Sequence, residues 1–513
     1  MKIKVTILLL FIQNLYLQAQ QKVTEKSLDL TLVEARINEA INEKKIPSMV
    51  IAISRNGKVV YEKAFGYADV GKKVEATIHT PYQLASSTKP FTATAIMMLY
   101  KNGVINIDSP VTKYTPELVL NKADPHFATP TVRQVLNHTS GLGTYFDIGY
   151  ADESYDFDDF EKGWKRYGTI FMQPGLLCEY SNLGYGLLDH IIASVTGRTF
   201  DSYMSSELFN PLQLNDTYVA GHGHNSGMAA RKYNAGDNEL PEVINNAAGA
   251  GNIYTSVNDL IHFGMFQLSE KNESKGGKLI LTDSLIRLMH EYKDKTTLYT
   301  VNKNTIYALG WFRQESAGEK PVVWHEGGMP GASSMLKLFP KEDVAMAVIT
   351  NTYNYIFCRE ITDEITKIMM PDRPVVPIDE MGNYKSYTSD STFMGNWDGI
   401  IRVDGKEIPA SLSIDGKEII LTYLDLTMKS FLTEDQPIPH KTVLLNEMVH
   451  QNYFSGTTTG ILPAAHIRKE FSHLLILKLL KKDNVLSGTI TAYAAATREY
   501  YAYPFFMDLK KRE

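Results

Sequence analysis

Ser86 and Lys89 stand three residues apart in the run Ser86-Ser87-Thr88-Lys89-Pro90. On a helix that spacing puts both side chains on one face, so an amine can lie beside a hydroxyl. Pro90 fits a helix start, where N–H groups have no intrahelical partner. Ala93, Ile96, Met97 and Tyr100, closed by Gly103, give the apolar spacing of a buried helix. A serine at such a helix start sits in a field that favours developing negative charge. A lysine desolvated by the same helix loses pKa and can accept the serine proton, which is the chemistry of an activated nucleophile. The short pattern taken alone fits an ordinary N-cap serine with a solvated lysine better. Ser334 and Lys337 repeat it, but within a predicted strand, where residues three apart point to opposite faces and cannot act together.

Two further groups have chemistry-bearing types. Tyr180-Ser181-Asn182 follows Pro174-Gly175 and precedes a helical stretch. In extended backbone Tyr180 and Asn182 face one cavity. A tyrosine beside a cationic lysine can hold a lowered pKa and move protons, and an amide can orient a substrate carbonyl and bond the lysine. A helix-entry loop with Asn182 as its cap is the plainer alternative. His325-Glu326-Gly327-Gly328 lies at a predicted strand, where glycines let a ligand or another backbone approach closely. An N–H there can complete an oxyanion hole with that of Ser86, and His325 can polarise or orient the tyrosine. A glycine-rich hairpin with a surface histidine has the same sequence.

Other matches read as structure. Tyr100-Lys101-Asn102 approaches a helix end. Ser256 to Asp259 reads as a capping box. His222 and His224 lack a third ligand and read as a loop, so no metal is expected. The acidic residues Asp152, Glu153, Asp156, Asp158, Asp159 and Glu161 read as a solvated loop. Cys178, near Tyr180, reads as a small buried hydrophobe. The motifs HExxH, Walker A, GxGxxG and GxSxG do not occur, and the last omission argues against an α/β-hydrolase elbow.

The elements that must carry these residues can be placed. Residues 30–45 show helical spacing. Ser48–Ser54 and Val59–Ala64 flank Asn56-Gly57, a hairpin signal. A mostly helical, loop-rich middle spans about 85–270. A second hairpin follows at Met335–Phe339 and Val344–Thr350. Strands at both ends with helices between them predict an α+β domain whose sheet is closed by the two ends of the segment. Pro371, Pro374 and Pro377 read as a stiff linker over 371–384. From 385 to 513, short alternating runs separated by Asp404-Gly405, Asp415-Gly416 and Ser487-Gly488 predict an all-β barrel or sandwich.

Composition narrows the class. A chain of 513 residues exceeds one compact core. With 52 basic and 58 acidic residues the net charge is −6, so no basic excess serves a nucleic acid. Two cysteines exclude a disulfide scaffold. Lys2 and Lys4, the apolar run Val5–Ile12 and Leu17-Gln18-Ala19 read as a signal peptide over residues 1–20, which implies a periplasmic or secreted protein with no integral membrane span after cleavage.

In this order the three groups resemble the β-lactamase-related serine hydrolases, which include class C β-lactamases, penicillin-binding carboxypeptidases, D-aminopeptidases and family VIII esterases. Ile46–Tyr67, Val135–Leu142 (VLNHTSGL), Pro174–Leu187, Ala248–Asp259 and Ile349-Thr350-Asn351 share the likeness, which runs from about residue 30 to 370. The resemblance implies a domain over 21–370 with an antiparallel sheet flanked by helices and a mainly helical subdomain. The module over 385–513 resembles a lipocalin-like C-terminal domain, with a ligand or the cell envelope as its contact. The resemblance further implies Ser86 as the acylated nucleophile, Lys89 as its base, Tyr180 as proton shuttle and Asn182 as a substrate ligand. It puts the oxyanion hole at the N–H groups of Ser86 and Gly328, with Gly327 beside them. His325 stands where many β-lactamases have lysine. This departure weakens a β-lactam reading, because a neutral imidazole offers less to a carboxylate. The expectation is a cofactor-independent hydrolase of small esters, amides or D-amino-acid peptides. The alternatives are a β-lactamase or carboxypeptidase, and a non-catalytic binding protein on the same scaffold.

Overall fold

The computed structural model describes residues 28–512, apart from 153–158, 221–227, 269–276, 278, 293–296, 300–304, 315–319, 374–390, 425–438, 463–472 and 497–498. The expected signal peptide, the histidines at 222 and 224, three of the acidic residues (Glu153, Asp156 and Asp158) and most of the linker lie outside the described residues. Asp159 lies inside them and caps the helix Phe160–Tyr167 by accepting the Lys162 N–H.

Asn56 and Gly57 both have positive φ (52° and 68°), which matches a right-twisted two-residue hairpin between the strands Ser48–Arg55 and Lys58–Asp69. The second hairpin joins Ala332–Phe339 to Val344–Thr350. The two hairpins meet in register, from Met49 opposite Thr350 to Arg55 opposite Val344, so the ends of the segment close one antiparallel sheet as the sequence predicts. Val322–Met329 flanks Ala332–Phe339 on the far side.

Successive residues of Ser48–Arg55 serve different cores because side chains alternate across a strand. Met49, Ile51 and Ile53 pack with Val33 and Ile37 of the helix Thr31–Asn42 and with Ile361 and Ile365 of the helix Tyr355–Met369. Val50 and Ala52 face the main core with Phe91 of the helix Lys89–Lys101 and Leu260 and Phe263 of the helix Val257–Leu268. Both sheet faces are covered, which accounts for the unbroken apolar run at Met49–Ile53.

The C-terminal strands, from Gly395–Val403 to Glu499–Lys511, form an antiparallel sheet that curls until its margins nearly meet. Thr458 Oγ1 donates to Val443 O at 2.9 Å, and Tyr423 Oη donates to Ile461 O at 2.9 Å, across the closing seam. Leu475, Leu477 and Leu479 fill its interior, whereas Leu474 is exposed and Lys478 points outward. This is the all-β domain expected from the alternating runs.

The sequence did not announce how the two parts join. The strand Phe146–Tyr150 of the helical region pairs with Val243–Asn245 on one side and with Glu499–Lys511 of the barrel on the other. Tyr500 stands opposite Ile148 and Ala502 opposite Phe146. Backbone hydrogen bonds therefore run from the barrel into the helical region. Arg373, at the start of the linker, is buried and donates to Glu342 (2.6 Å), so it still belongs to the first domain.

Candidate active site

Ser86 lies on a 3-10 turn, Ala85–Thr88, that runs directly into the helix Lys89–Lys101. Ala85 has φ of +48°, a left-handed conformation that a residue with a Cβ adopts at a cost of about 1–3 kcal/mol. The surroundings hold it there. Leu84 O accepts from Ser334 Oγ at 2.7 Å and from the Ser87 N–H at 3.2 Å. Ser87 Oγ donates to His325 O at 3.2 Å. Gly327 passes so near that a Cβ on it would lie 1.9 Å from Leu84 O. Ser334, set aside as a nucleophile because of its strand, braces the turn instead, while Lys337 pairs with Asp363 on the other face.

Lys89 is fully buried, and Nζ lies 3.1 Å from Ser86 Oγ, 2.6 Å from Asn182 Oδ1 and 3.0 Å from Ala250 O. It sits over the rings of Tyr180 (4.8 Å) and Tyr185 (5.4 Å). Burial pushes its pKa well below the ordinary amine value of 10.5. The Ala250 carbonyl is itself held: Thr92 Oγ1 donates to Gly249 O at 2.7 Å, and Asp189 Oδ2 accepts the Gly249 N–H at 2.6 Å. Burial raises the Asp189 carboxyl to about 7.

Tyr180 hydrogen-bonds Ser86, and burial pushes its phenol above the ordinary 10. The sequence expectation of a lowered tyrosine pKa beside a charged lysine is thus reversed. The same dry environment favours the uncharged amine and the protonated phenol. Ser181, not Asn182, caps the helix Asn182–Thr196, accepting the Gly184 N–H at 3.2 Å. Tyr180 and Asn182 nonetheless border one cavity.

His325 is fully buried rather than on the surface, and the tyrosine it bonds is Tyr307, whose Oη is 2.9 Å from Nε2. Its ring centre is 6.5 Å from that of Tyr180. Burial and the nearby Lys89 lower its pKa to about 3, so the imidazole is neutral. Of His325, Gly327 and Gly328, only Gly328 borders the space in front of Ser86.

Sequence reasoning left several contributors without a role. His138, inside the VLNHTSGL stretch, is buried with φ of +60° and lies 4.3 Å, centre to centre, from both Tyr180 and Tyr307. Its Nδ1 accepts the Ser181 N–H at 3.1 Å, which assigns the ring proton to Nε2 and fixes the Tyr180 loop. Burial, then Lys89 and His325, keep this imidazole neutral too. Glu179 is 1% exposed, and both its oxygens lie 2.8 Å from Lys478 Nζ of the barrel. Thr144 Oγ1 contacts Glu179 and Tyr180 O.

Two cavities share Ser86, Tyr180 and Gly328. One, of about 270 Å³, adds Phe312, Glu326, Tyr353 and Tyr355. The other, of about 170 Å³, adds Asn182 and Asn245 and the apolar groups of Phe146, Ile148, Met329 and Tyr500. Glu326 is paired with Arg359 at 2.8 Å. Among the described residues lining either cavity, none is lysine or arginine. Among the described residues no cluster of His, Cys, Asp and Glu fits a metal ion, and no helix is long and apolar enough to cross a membrane. Cys178 and Cys358 are both free and buried.

Known proteins are similar to this chain in sequence or in fold. Protein flp of Staphylococcus aureus (strain MW2) is 30% identical over 326 residues, which are 62% of this chain and 62% of that protein. Penicillin-binding protein 4* of Bacillus subtilis (strain 168) is 27% identical over 321 residues, 58% of this chain and 66% of that one. The match thus spans under two thirds of these relatives. Among solved structures, the octameric penicillin-binding protein homologue from Pyrococcus abyssi aligns with a TM-score of 0.55 at 20% identity, covering 93% of this chain and 100% of the other. SurE aligns with a TM-score of 0.60 at 18% identity, covering 94% and 99%. EstCE1, described as a hydrolase with promiscuous acyltransferase activity, aligns at 0.56 and 19%, covering 67% and 100%. At these identities the structures show a shared fold, and two of them extend it across the barrel. The family model described as Beta-lactamase matches residues 33–364, which hold Ser86, Lys89, Tyr180 and Gly328, so the chain belongs to the β-lactamase family of penicillin-binding proteins and serine hydrolases.

Proposed function

We propose that the protein is a serine hydrolase that forms an acyl-enzyme at Ser86 from small, uncharged esters or amides. The observation that carries this is the fully buried Lys89 amine 3.1 Å from Ser86 Oγ. A neutral amine has two N–H groups and one lone pair. The N–H groups go to Asn182 Oδ1 and Ala250 O, which leaves the lone pair for the Ser86 hydroxyl proton. After transfer, three N–H groups meet three oxygens, so both protonation states are fully bonded.

The steps then balance. Ser86 gives its proton to Lys89 as Oγ bonds the substrate carbonyl carbon. The N–H groups of Ser86 and Gly328 hold the oxyanion. The bond to the leaving atom breaks as Tyr180 donates its phenolic proton to that atom, and the Lys89 ammonium restores the phenol's proton. Water reverses the sequence: it loses a proton to the base pair and bonds the acyl carbon, and Ser86 leaves with a proton.

The wall chemistry favours neutral substrates. A carboxylate arriving beside Ser86 meets a neutral His325 behind the wall and no lysine or arginine among the described lining residues, and Glu326 is already paired with Arg359. This argues against substrates with an obligatory carboxylate, including penicillins and peptides with a free C-terminus. Residues 1–20 support export, testable by sequencing the N-terminus of the mature protein.

Labelling with a fluorophosphonate probe tests the reading. The probe is expected to modify Ser86, and Ser86→Ala is expected to abolish modification. Labelling that persists in the variant overturns the assignment. No labelling of the wild type, together with tight ligand binding, identifies a binding protein instead.

A further inference from the structure

We propose that Tyr500, a residue of the C-terminal barrel, walls the acyl side of the active site and sets the longest acyl group accepted. The inference rests on the hydrolase reading above.

The two cavities meet at Ser86, so a substrate carbonyl attacked there sends one half of the molecule into each. They differ in chemistry. The larger contains Glu326 and is bordered by Tyr353, which is 41% exposed, so it suits the half that departs into water. The smaller is walled by Ala85, Ile148, Met329 and Tyr500, each 2–9% exposed, and carries no charged residue among those described. It suits the half that stays attached to the serine: a short, uncharged, apolar acyl group, its polar end near Asn182 and Asn245.

Tyr500 is held firmly for this task. Its backbone is paired opposite Ile148, which lines the same cavity. Its ring packs against Phe146 at 5.0 Å and crosses the Tyr353 ring edge-on at 5.9 Å. Tyr500 also hydrogen-bonds Tyr353. Lengthening an acyl chain past this wall therefore requires displacing a strand rather than rotating a free side chain.

The test uses the full chain and p-nitrophenyl acetate, butyrate, hexanoate and octanoate, with fluorophosphonate labelling of Ser86 run in parallel. Wild-type kcat/KM is expected to peak at a short acyl chain. Tyr500→Ala is expected to raise the hexanoate-to-acetate ratio of kcat/KM by about tenfold or more, since one methylene in an apolar pocket is worth roughly 10–200-fold. Tyr500→Phe keeps the ring and is expected to hold the ratio within about twofold. Tyr500→Leu, which preserves a buried apolar strand residue, decides the matter if alanine disturbs folding, with a rise of about threefold. An unchanged ratio in the folded alanine or leucine variant, with Ser86 labelling intact, overturns this inference and leaves the hydrolase reading standing. A wild type that turns over none of the esters also overturns it. Loss of wild-type labelling overturns the hydrolase reading itself.

Discussion

The contact between Lys478 and Glu179 gives a prediction whose size can be worked out. Glu179 is 1% exposed and precedes Tyr180, and both its oxygens lie 2.8 Å from one ammonium, whose side chain is 26% exposed. Lys478→Met leaves a buried carboxylate with the Thr144 hydroxyl for compensation. Removing one partner of a buried pair costs about 3–5 kcal/mol, and the partial exposure of Lys478 places this case near 3. Glu179→Gln leaves an ammonium that can reach water and should cost about 1 kcal/mol. The double variant removes both charges and should cost roughly 2 kcal/mol, giving a coupling of about 2 kcal/mol. The assay is urea unfolding at pH 7 on all four proteins, following the transition that abolishes fluorophosphonate labelling, since a two-domain chain need not unfold in one step. Because the carboxylate is adjacent to Tyr180, kcat in Lys478→Met should fall about tenfold or more, as small misplacements of a reacting group are costly. Coupling below about 0.5 kcal/mol, or an unchanged kcat, refutes the idea that the barrel fixes the Tyr180 loop.

Lys89→Ala should lower kcat by about 10²–10⁴-fold with KM little changed, and Lys89→Arg should not rescue it, because a guanidinium does not give up its proton at these pH values. Activity requires the free amine, so kcat/KM should fall as pH drops through the Lys89 pKa, which burial sets well below 10.5. Asp189 titrates at about 7 in the fold against 3.8 otherwise. Its stabilising contribution is therefore complete below about pH 3.8 and is lost as pH rises through 7. Asp189→Asn should flatten the decline of stability between about pH 4 and 7, measured by thermal unfolding. Gly327→Ala puts a Cβ 1.9 Å from Leu84 O. It should cost about 1–3 kcal/mol of stability and most of the Ser86 labelling rate.

Local spacing carried much of this site. The three-residue interval from Ser86 to Lys89, with Pro90 after it, specified a helix start and so the contact itself. The strand context of Ser334 and Lys337 correctly separated them. Asn56-Gly57 placed a hairpin because its two positive φ angles demand those residue types. What local pattern cannot carry is burial contributed from elsewhere. The tyrosine expectation failed in sign because the surroundings that dry Lys89 also dry Tyr180. His325 was assigned to Tyr180, but Tyr307, eighteen positions before it, takes its hydrogen bond. Lys478 and Tyr500 reach the site from strands about three hundred residues away, and their own segments alternate like any barrel strand. The glycines at 327 and 328 looked alike in sequence, yet one exists to let a carbonyl pass and the other borders the reaction space.

The strand Phe146–Tyr150 has partners on both sides, and one of them belongs to the barrel. A shortened protein ending at the proline-rich segment would bare one flank of that ribbon a few residues from the nucleophile. Unpaired amides of this kind recruit a second copy of themselves. Insolubility of such a fragment would then report adhesive backbone rather than damaged chemistry.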